Sequence, residues 1–361
     1  MDTDAPIRPD EIPDRLQAAG VAGAGGAGFP SYVKWQALAN VDSLLVNHQE
    51  SEPNYYADKW LGREHAADLV AFFETLLEDT LERVVVGTKV GYREEWLGPL
   101  EEAAGEAVYT PEDLPADFAE QTGLALVYTP NVYTYSEESV LLMVTAGVQL
   151  GDGLPTDHGW LVHNTESIFN VARALRDGTP VTRKLVQVDG NTPRHRCLDV
   201  PIGTPASDLL EAAGVDDGAI AENEILADGG PGWCYEIEAE PDAFGVRKRT
   251  NAVLVLDEDL ARDNLQDDGQ IDVLTAHEWD RDHETEPTRL EPDRVRIPLI
   301  TNAAYTGFVE PSVPCVDPGD TVSAGDVVAT PAPDSISNTQ HASIDGTVSE
   351  VSETHVTLER S

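Results

Sequence analysis

The chain has 361 residues, with 23 Lys and Arg against 66 Asp and Glu, which gives a formal net charge of −43. This length predicts two or three domains with ample hydrophobic core. The negative charge disfavours nucleic-acid binding, and no apolar run approaches the ~20 residues that a helix needs to cross a bilayer.

The acidic residues are distributed along the whole chain rather than gathered in one block. An acidic face could attract a basic partner, whereas a uniformly acidic surface suits concentrated salt, where screening shortens the reach of self-repulsion. The even distribution favours the second explanation, a halophilic protein. Because the acidic N-terminus carries no secretory signal, we expect a cytoplasmic protein, with peripheral docking at the inner face of a membrane complex left open.

The three cysteines, Cys197, Cys234 and Cys315, lie far apart and form no C-x-x-C pattern. A disulfide scaffold is therefore not expected. Because an iron–sulfur cluster of the usual type needs four cysteine ligands, one copy of this chain cannot build one. We expect neither a cluster nor another metal site in the chain.

The first helix predicted, over residues 8–20, is followed by the glycine-rich sequence GVAGAGGAGFPSYVKW at residues 20–35. Pro30 suits the first turn of a helix that continues through SYVKWQALA. Peptide N–H groups at such a turn can bind phosphate, although a flexible glycine turn is the alternative. A helix rather than a strand precedes the loop, so an ordinary Rossmann fingerprint is not expected. The G-x-G-x-x-G pattern, with one additional glycine, is formed by Gly23, Gly25, Gly26 and Gly28.

Strands alternate with helices over residues 42–189. A strand at 42–47 ends in the polar cluster NHQESEP, where α/β sheets place their ligands. Alternation of this kind predicts a mostly parallel sheet. Further strands are predicted at 83–88, 124–128, 160–163 and 181–189, and helices at 64–82, 93–104, 139–147 and 166–176. The apolar face of the 64–82 helix is Leu69, Phe72, Phe73, Leu76 and Leu77.

Four segments of the chain recur in one known order. GGAGFPSYVKW is followed by LLVNHQESEP, then by YSEES at 135–139, which is similar to a G-E-E-T segment, and by HNTES at 163–167, which is similar to N-N-V-E-T. Together they resemble the flavin-binding core shared by the NADH-binding flavoprotein subunit of respiratory complex I, the RnfC subunit of the Rnf complex and the cobalamin reductase PduS. The resemblance extends over nearly the whole chain.

This resemblance implies a site for flavin mononucleotide (FMN) and for NADH. Loop amides and the Lys34 ammonium would hold the phosphate, and neutral amide and hydroxyl groups would meet the ribityl chain and the ring edge. The residues implied for FMN are Gly23, Gly25, Gly26, Gly28, Lys34, Asn47, Glu50, Glu137, Asn164 and Ser167. Those implied for NADH are Phe29, Glu52 and Glu138. As alternatives, Lys34 is a surface charge, Glu138 supports a helix start, and His163 is a structural histidine.

The same resemblance implies an α/β fold in which a Rossmann-like FMN- and NADH-binding domain over residues 1–189 precedes two smaller domains. Residues 190–256 resemble an SLBB-like β-grasp domain, and residues 257–293 are expected to form an acidic linker or a short solvated helix. The linker residues His277, Glu278, Asp280 and His283 match no zinc spacing. Residues 294–361 resemble a lipoyl/biotinyl-like barrel-sandwich domain, which cannot be lipoylated because no lysine follows Lys248.

The function implied is that of an FMN-binding NADH dehydrogenase-type subunit, which accepts hydride from NADH and passes electrons to an iron–sulfur or other redox partner protein. Two alternatives remain. The chain could be a non-catalytic assembly subunit, since it lacks the relatives' cysteine runs and their lysine- and aromatic-bearing segment after Gly147. It could also be a corrinoid reductase, as the PduS-like order of domains suggests.

Overall fold

In the computed structural model, the described residues are 7–50, 52–115, 117–118, 121–276, 279, 284–302 and 307–361. Residue contacts divide the chain into two units. The first unit comprises Met1–Gln17, Ser31–Ser51 and Ala57–Thr179, and the second comprises Ala18–Pro30, Glu52–Tyr56 and Pro180–Ser361. The second unit therefore takes the glycine loop and a short segment after the first strand from the N-terminal half. The predicted domain boundaries remain predictions.

The first unit is built on a parallel sheet with the strand order β3-β4-β2-β1-β5. Its strands read as continuous apolar runs such as SLLVNH and RVVVGTK, which is typical of parallel strands buried on both faces. The mostly parallel sheet predicted from the sequence is confirmed. The strands are β1 (Ser43–His48), β2 (Arg83–Lys89), β3 (Val108–Tyr109), β4 (Gly123–Thr129) and β5 (Trp160–Asn164).

Helices cover the strands of this sheet and mostly follow the predicted pattern. They are α1 (Ile12–Ala18), α2 (Ser31–Trp35), α3 (Ala57–Glu64), α4 (Ala66–Asp79), α5 (Gly98–Ala104), α6 (Glu138–Ala146) and α7 (Thr165–Asp177). The predicted 64–82 helix is α4, which buries Leu69, Phe72, Phe73 and Leu76 but leaves Leu77 half-buried. Gly147 closes α6 with a positive φ of 71°, as a C-terminal glycine does.

The helix expected to run on from Pro30 is shorter than predicted. It is α2, which ends at Trp35, because the N–H of Ala37 bonds back three residues to Lys34 and tightens the chain. A 3₁₀ turn at Leu38–Asn40 then leads to β1. Such i to i+3 bonds commonly end a helix. A helix of five residues has a small dipole, so the anion-binding argument rests on the loop amides alone.

The second unit contains a mixed sheet with the order β11-β9-β8-β10-β6-β7-β12. Its strands are β6 (Arg183–Gly190), β7 (Arg196–Pro201), β8 (Glu224–Gly230), β9 (Trp233–Glu236), β10 (Ala252–Asp257), β11 (Gln270–Ile271) and β12 (Thr288–Arg289). The 181–189 strand, expected to complete the first domain, is β6 and pairs here instead. The short connection after β6 favours an antiparallel hairpin with β7, and a strand's own pattern does not name its partner.

Helix α8 (Ala206–Ala212) packs on this sheet through Leu209 and Leu210, against Val186, Leu198 and Val253. The second unit thus contains the β6–β7 hairpin, helix α8 and strand β10, which is parallel to β6. Assignment of these elements to the SLBB class stays a prediction.

The acidic 257–293 segment is partly built into the second unit. It contributes the short helix α9 (Glu258–Asp263) and the edge strands β11 and β12, and it buries Ile271, Val273 and Trp279. Apolar side chains spaced between acidic ones therefore anchor a stretch that was expected to be a solvated linker or short helix. His277, Glu278, Asp280 and His283 lie outside the described residues.

Antiparallel strands form two small sheets at the C-terminal end of the second unit, with the orders β13-β19-β18-β15 and β14-β16-β17. They share a core that includes Val295, Ile297, Val348 and Leu358. A barrel-sandwich classification stays a prediction. The strands are β13 (Arg294–Pro298), β14 (Val313–Pro314), β15 (Thr321–Val322), β16 (Val327–Thr330), β17 (Gln340–His341), β18 (Gly346–Val351) and β19 (His355–Arg360).

Among the residues that the structure describes, no helix is long and apolar enough to span a membrane. Cys197 and Cys234 are buried, and Cys315 is exposed.

Gly190, at the end of β6, gives a test of this sheet. Its φ is 89°, and a Cβ atom added there would lie 2.0 Å from the carbonyl oxygen of Val255 on β10. Gly190→Ala should therefore combine left-handed strain with a backbone clash and lower the free energy of unfolding by about 3 kcal/mol, measured by urea unfolding. Gly269→Ala is the matched control, because Gly269 has a φ of 85° and nothing within 4 Å. The control should lose only about 1 kcal/mol; equal losses would contradict the described packing of β6 on β10.

Candidate functional site

The carboxyl ends of three parallel strands lie side by side in the first unit. Asn47 of β1 is directly opposite Gly87 of β2 and Asn164 of β5. Because parallel strands end at the same edge of a sheet, their last side chains share one surface, which is where open α/β sheets bind ligands. Two of the residues expected to bind FMN, Asn47 and Asn164, are therefore brought together.

Asn164 and Ser167 hold the start of α7. The Oδ1 atom of Asn164 accepts hydrogen bonds from the N–H of Ser167, at 3.2 Å, and from its hydroxyl. The Nδ2 atom of Asn164 lies 3.4 Å from Oδ1 of Asp58, which also accepts from the N–H of Glu166 at 3.0 Å. These bonds satisfy amides at the helix start, so both predicted residues have a structural task. Asp58 was not foreseen; its position in the first turn of α3 was the only signal.

The 135–139 segment approaches the same strand ends. The Nδ2 atom of Asn47 donates to the carbonyl of Ser136 at 2.7 Å. Glu137 is exposed and immediately precedes α6, and Glu138 lies in the first turn of that helix. The structure thus places the 135–139 segment beside Asn47, and the resemblance had implied one site for residues of both.

Lys34 already has two oxygen partners within the first unit. Its ammonium donates to the carbonyl of Val162 at 3.0 Å and lies 3.4 Å from Oε2 of Glu138. The two charged side chains are 33% and 39% exposed, so this pair is partly solvated and adds little stability. An anionic ligand would compete with Glu138 for Lys34.

His163 is a satisfied structural histidine. Its Nε2 accepts a hydrogen bond from Nε1 of Trp35 at 3.0 Å, which requires the neutral ring. Burial, and then the charge of Lys34, lower the pKa of His163 well below its usual value. The hydrogen bond with Trp35 supports the structural alternative for this residue.

Glu50 has the most unusual environment among the predicted residues. Its side chain is buried, and its backbone has a φ of 35°, a left-handed conformation that is strained for a residue with a Cβ atom. Within the part of the chain that the structure describes, neither carboxylate oxygen accepts a hydrogen bond of normal geometry. Strain combined with an unsatisfied buried group is a signature of functional sites.

Two buried lysines surround Glu50. The ammonium of Lys89 donates to the main-chain carbonyl of Glu50 at 2.6 Å and lies 4.0 Å from the ring centre of Tyr133. The ammonium of Lys59 lies 4.1 Å from the ring centre of Tyr92. Burial raises the pKa of Glu50 to about 7, while the charges of Lys59 and Lys89 and polar contacts with the Lys59 backbone and Tyr92 oppose that rise. This cluster was missed in the sequence, although Lys89 stands directly at the carboxyl end of β2.

The glycine loop belongs to the second unit. An antiparallel bridge between Ala22 and Pro30 closes it, and bonds from Gly23 N to Phe29 O and from Gly28 N to Gly23 O cross it. Gly28 needs to be glycine, because its φ is 68° and an added Cβ atom would lie 3.0 Å from Cβ of Arg249.

Three consecutive N–H groups of this loop remain available to an acceptor. Among the described residues, the N–H groups of Gly25, Gly26 and Ala27 have no acceptor. Successive N–H groups in a turn form a concave surface that binds anions. The loop therefore has the donor set that a phosphate group needs.

Two residues of the predicted NADH set, Phe29 and Glu52, lie in the second unit. The ring of Phe29 stacks on Phe308, which is 62% exposed, with 6.1 Å between the ring centres. The carboxylate of Glu52 is buried and accepts from the N–H of Gly232 at 2.7 Å. Phe308 was not foreseen, since nothing in its local sequence marks it. Glu52 has a structural role that the sequence did not suggest.

Comparison with known proteins identifies relatives over most of the chain. Residues 16–173 match the family model described as the Nuo51 FMN-binding domain. Cobalamin reductase PduS of Salmonella typhimurium is 33% identical over 266 residues, which cover 73% of this chain and 54% of the relative. The C component of an ion-translocating oxidoreductase complex from Erwinia tasmaniensis is 31% identical over 231 residues, which cover 62% of this chain and 26% of the relative.

Among solved structures, an NAD+-reducing NiFe-hydrogenase in the H2-reduced state shares the fold with a TM-score of 0.53 and 22% identity, over 70% of this chain and 49% of that chain. The chain spans about half the length of the cobalamin reductase it matches. The matched FMN-binding domain and these relatives show that the chain belongs to the family of flavoproteins that includes PduS, RnfC and the FMN-binding subunit of complex I.

Proposed function

We propose that this chain is an FMN-binding electron-transfer subunit that accepts hydride from NADH and passes electrons to a partner protein. The observation that carries the proposal is the glycine loop: it lies inside the segment matched to the FMN-binding domain and presents three consecutive N–H groups without acceptors among the described residues. Bound FMN would supply the redox chemistry, taking up two electrons with a hydride and releasing them singly.

Each unit, taken by itself, has residues whose chemistry suits a polar part of FMN. The N–H groups of Gly25, Gly26 and Ala27 suit its phosphate. Asn47, Asn164 and Ser167 carry neutral donors and acceptors of the kind that bind ribityl hydroxyls and the edge of the ring. Lys34 would bind a negatively charged group of the ligand, and its weak ion pair with Glu138 would then be broken.

Glu50 supports a role in charge control. A buried carboxylate that accepts no hydrogen bond of normal geometry among the described residues, and has a pKa of about 7, can take up a proton at its Oε atoms when negative charge arrives nearby. Lys59 and Lys89 would limit the cost of the ionised form when no such charge is present. In this proposal Glu50 holds a proton and contributes no covalent chemistry. Glu137 and Glu138 add negative potential, which makes a flavin harder to reduce.

For NADH, we propose that Phe29 offers a ring face to a planar group, and that Glu52 and Glu138 accept from ribose hydroxyls. The exposed stack of Phe29 on Phe308 supports the first role, since an aromatic face in contact with solvent favours stacking of a further ring. The carboxylate of Glu52 already accepts a hydrogen bond from the N–H of Gly232, so this group is held in place as an acceptor.

A second candidate is reduction of a corrinoid, favoured by the 33% identity to a cobalamin reductase. It uses the same flavin and differs only in the acceptor. A non-catalytic assembly role, which keeps the fold without turnover, is the remaining alternative.

The first experiment tests both FMN binding and reduction of the bound flavin by NADH. The purified chain, reconstituted with FMN, should retain a yellow chromophore that is released as FMN on denaturation. Anaerobic NADH should then bleach the flavin absorption band, and aquocobalamin added afterwards should restore it only if a corrinoid is an acceptor. Photoreduction serves as the control for a reducible flavin.

Each outcome decides between the candidates. A chain that binds no FMN overturns the proposal. A flavin that is photoreduced but not bleached by NADH overturns the electron-donor assignment and favours the assembly role. Bleaching by NADH without reoxidation by aquocobalamin removes the corrinoid candidate.

Glu50 gives a prediction for the pH dependence of stability. Because burial raises its pKa above the unfolded value of 4.5, the group stabilises the fold fully below about pH 4.5, and this contribution is lost as the pH rises through about 7. Glu50→Gln puts a group that cannot ionise at this position, so the variant does not lose stability as the pH rises through about 7. The free energy of unfolding of E50Q minus that of the original chain should therefore rise by about 2 kcal/mol between about pH 5.5 and pH 8, measured by urea unfolding at each pH.

The exposed Glu102 provides the matched control. Glu102→Gln changes one charge in the same way, so its difference from the original chain should stay nearly constant over that pH interval. A constant difference for E50Q as well would mean that Glu50 is not desolvated in solution, and it would remove the support that this residue lends to the proposed function.

A further inference from the structure

Side chains from the C-terminal half of the chain hold the carbonyl groups of the glycine loop. We call this set the loop clamp. Lys248 donates to Gly20 O at 2.8 Å and Asn338 to Val21 O at 3.1 Å. The remaining contacts of the loop clamp are Arg249 with Gly26 O at 3.4 Å, Asn302 with Ala27 O at 2.8 Å, and the Thr301 hydroxyl with Gly28 O.

The loop clamp determines where the loop's N–H groups point. A trans peptide directs its C=O and the following N–H to opposite sides. When Arg249 fixes the carbonyl of Gly26, the N–H of Ala27 must face away from it, and this is one of the groups without an acceptor among the described residues. When Asn302 fixes the carbonyl of Ala27, the N–H of Gly28 is directed to Gly23 O, which closes the loop.

The loop clamp also carries positive charge. Arg247-Lys248-Arg249 is the only run of three basic residues in a sequence with 23 basic and 66 acidic residues. Arg247 and Arg249 both bond to one carboxylate, Asp228, at 3.4 and 2.7 Å. Lys248 is buried, and its described hydrogen bonds go to two carbonyl oxygens, those of Gly20 and Thr339. Burial lowers the pKa of Lys248 to about 7, so the lasting positive charges in this part of the second unit are the guanidinium groups of Arg247 and Arg249, which share one described anion.

Unsatisfied atoms mark the same place. Nε of Arg249 and Oδ1 of Asn251 are buried and have no hydrogen-bond partner among the residues that the structure describes. Arg249 as a whole is only 6% exposed, and Asn251 is 4% exposed. Buried polar atoms without partners are rare in folded proteins and call for an explanation, and a charged ligand bound at the loop is one.

We propose that Arg249, Thr301 and Asn302 are positioning residues for a phosphate monoester at the amides of Gly25, Gly26 and Ala27. They act through the loop: each fixes a carbonyl, which prepares the N–H surface before the ligand arrives and lowers the cost of binding. The inference rests on the proposed function in one respect, that the monoester is the phosphate of FMN. It gives residues 301–302, outside the segment matched to the FMN-binding domain, a part in cofactor binding.

The test compares FMN with riboflavin, which has the same ring and ribityl chain but no phosphate. Thr301→Val keeps the shape of the side chain and removes the donor, and Asn302→Ala removes the amide. Each should raise the dissociation constant for FMN about fivefold in fluorescence titrations and leave that for riboflavin unchanged. Arg249→Gln, which also removes a charge, should cost FMN affinity roughly tenfold.

Two variants serve as controls. Thr301→Ser restores the hydroxyl and should bind FMN as the original chain does. Arg247→Gln removes a guanidinium that contacts the same Asp228 but, among the described contacts, no loop carbonyl, so it should leave the ratio of FMN to riboflavin affinity nearly unchanged.

The inference is overturned if T301V and N302A bind FMN normally, or if they lose FMN and riboflavin affinity equally, which would indicate a general structural effect. If the original chain binds neither flavin, the proposed function fails, and inorganic phosphate then tests the loop separately. Phosphorus NMR line broadening that is weaker for N302A than for the original chain would support the positioning role, and identical broadening would overturn it.

Discussion

Burial of positive charge is the constraint on which both candidate regions depend. The chain has few cations, yet four of its five lysines are almost fully buried: Lys59, Lys89, Lys184 and Lys248. A buried ammonium is costly unless oxygen atoms or aromatic faces surround it. Lys89 meets a main-chain carbonyl and a tyrosine ring, and Lys248 meets two carbonyls. These oxygen and aromatic contacts allow an acidic chain to keep lysine side chains in its interior.

The two regions use this constraint differently. At the strand ends of the first unit, Lys59 and Lys89 surround a strained carboxylate, Glu50, whose pKa burial raises to about 7 against the opposing charges of the two lysines. In the second unit, Lys248 and Arg249 bond to the backbone of the glycine loop and act on its shape. The first arrangement suits control of charge during electron transfer, and the second suits retention of a phosphate.

Local signals predicted the elements well. The run SLLVNH gave β1, the apolar face of α4 was read from its period, and Gly147 marked the end of α6. Strand alternation predicted a parallel sheet, whereas the pairing of β1 with β5, which places Asn47 opposite Asn164, needed the structure.

Partners distant in sequence could not be predicted. Nothing in the pattern of β6 states that it pairs with β10, and nothing local to Thr301 or Asn302 points to a loop more than 270 residues earlier. The strain at Glu50 is likewise invisible, because a left-handed φ at a glutamate is imposed by its surroundings. The ion pair of Lys34 with Glu138 needed the packing of α2 near β5 and α6 to be known. In each case tertiary contacts, which local pattern does not encode, decided the outcome.

The bond from Asn338 to the carbonyl of Val21 joins residues 317 positions apart. During translation, the glycine segment leaves the ribosome long before its supporting side chains exist, and contacts of such long range form late. The glycine loop therefore acquires this support only after residue 338 has been synthesised, so its final conformation depends on the folding of the second unit and not on its own sequence alone.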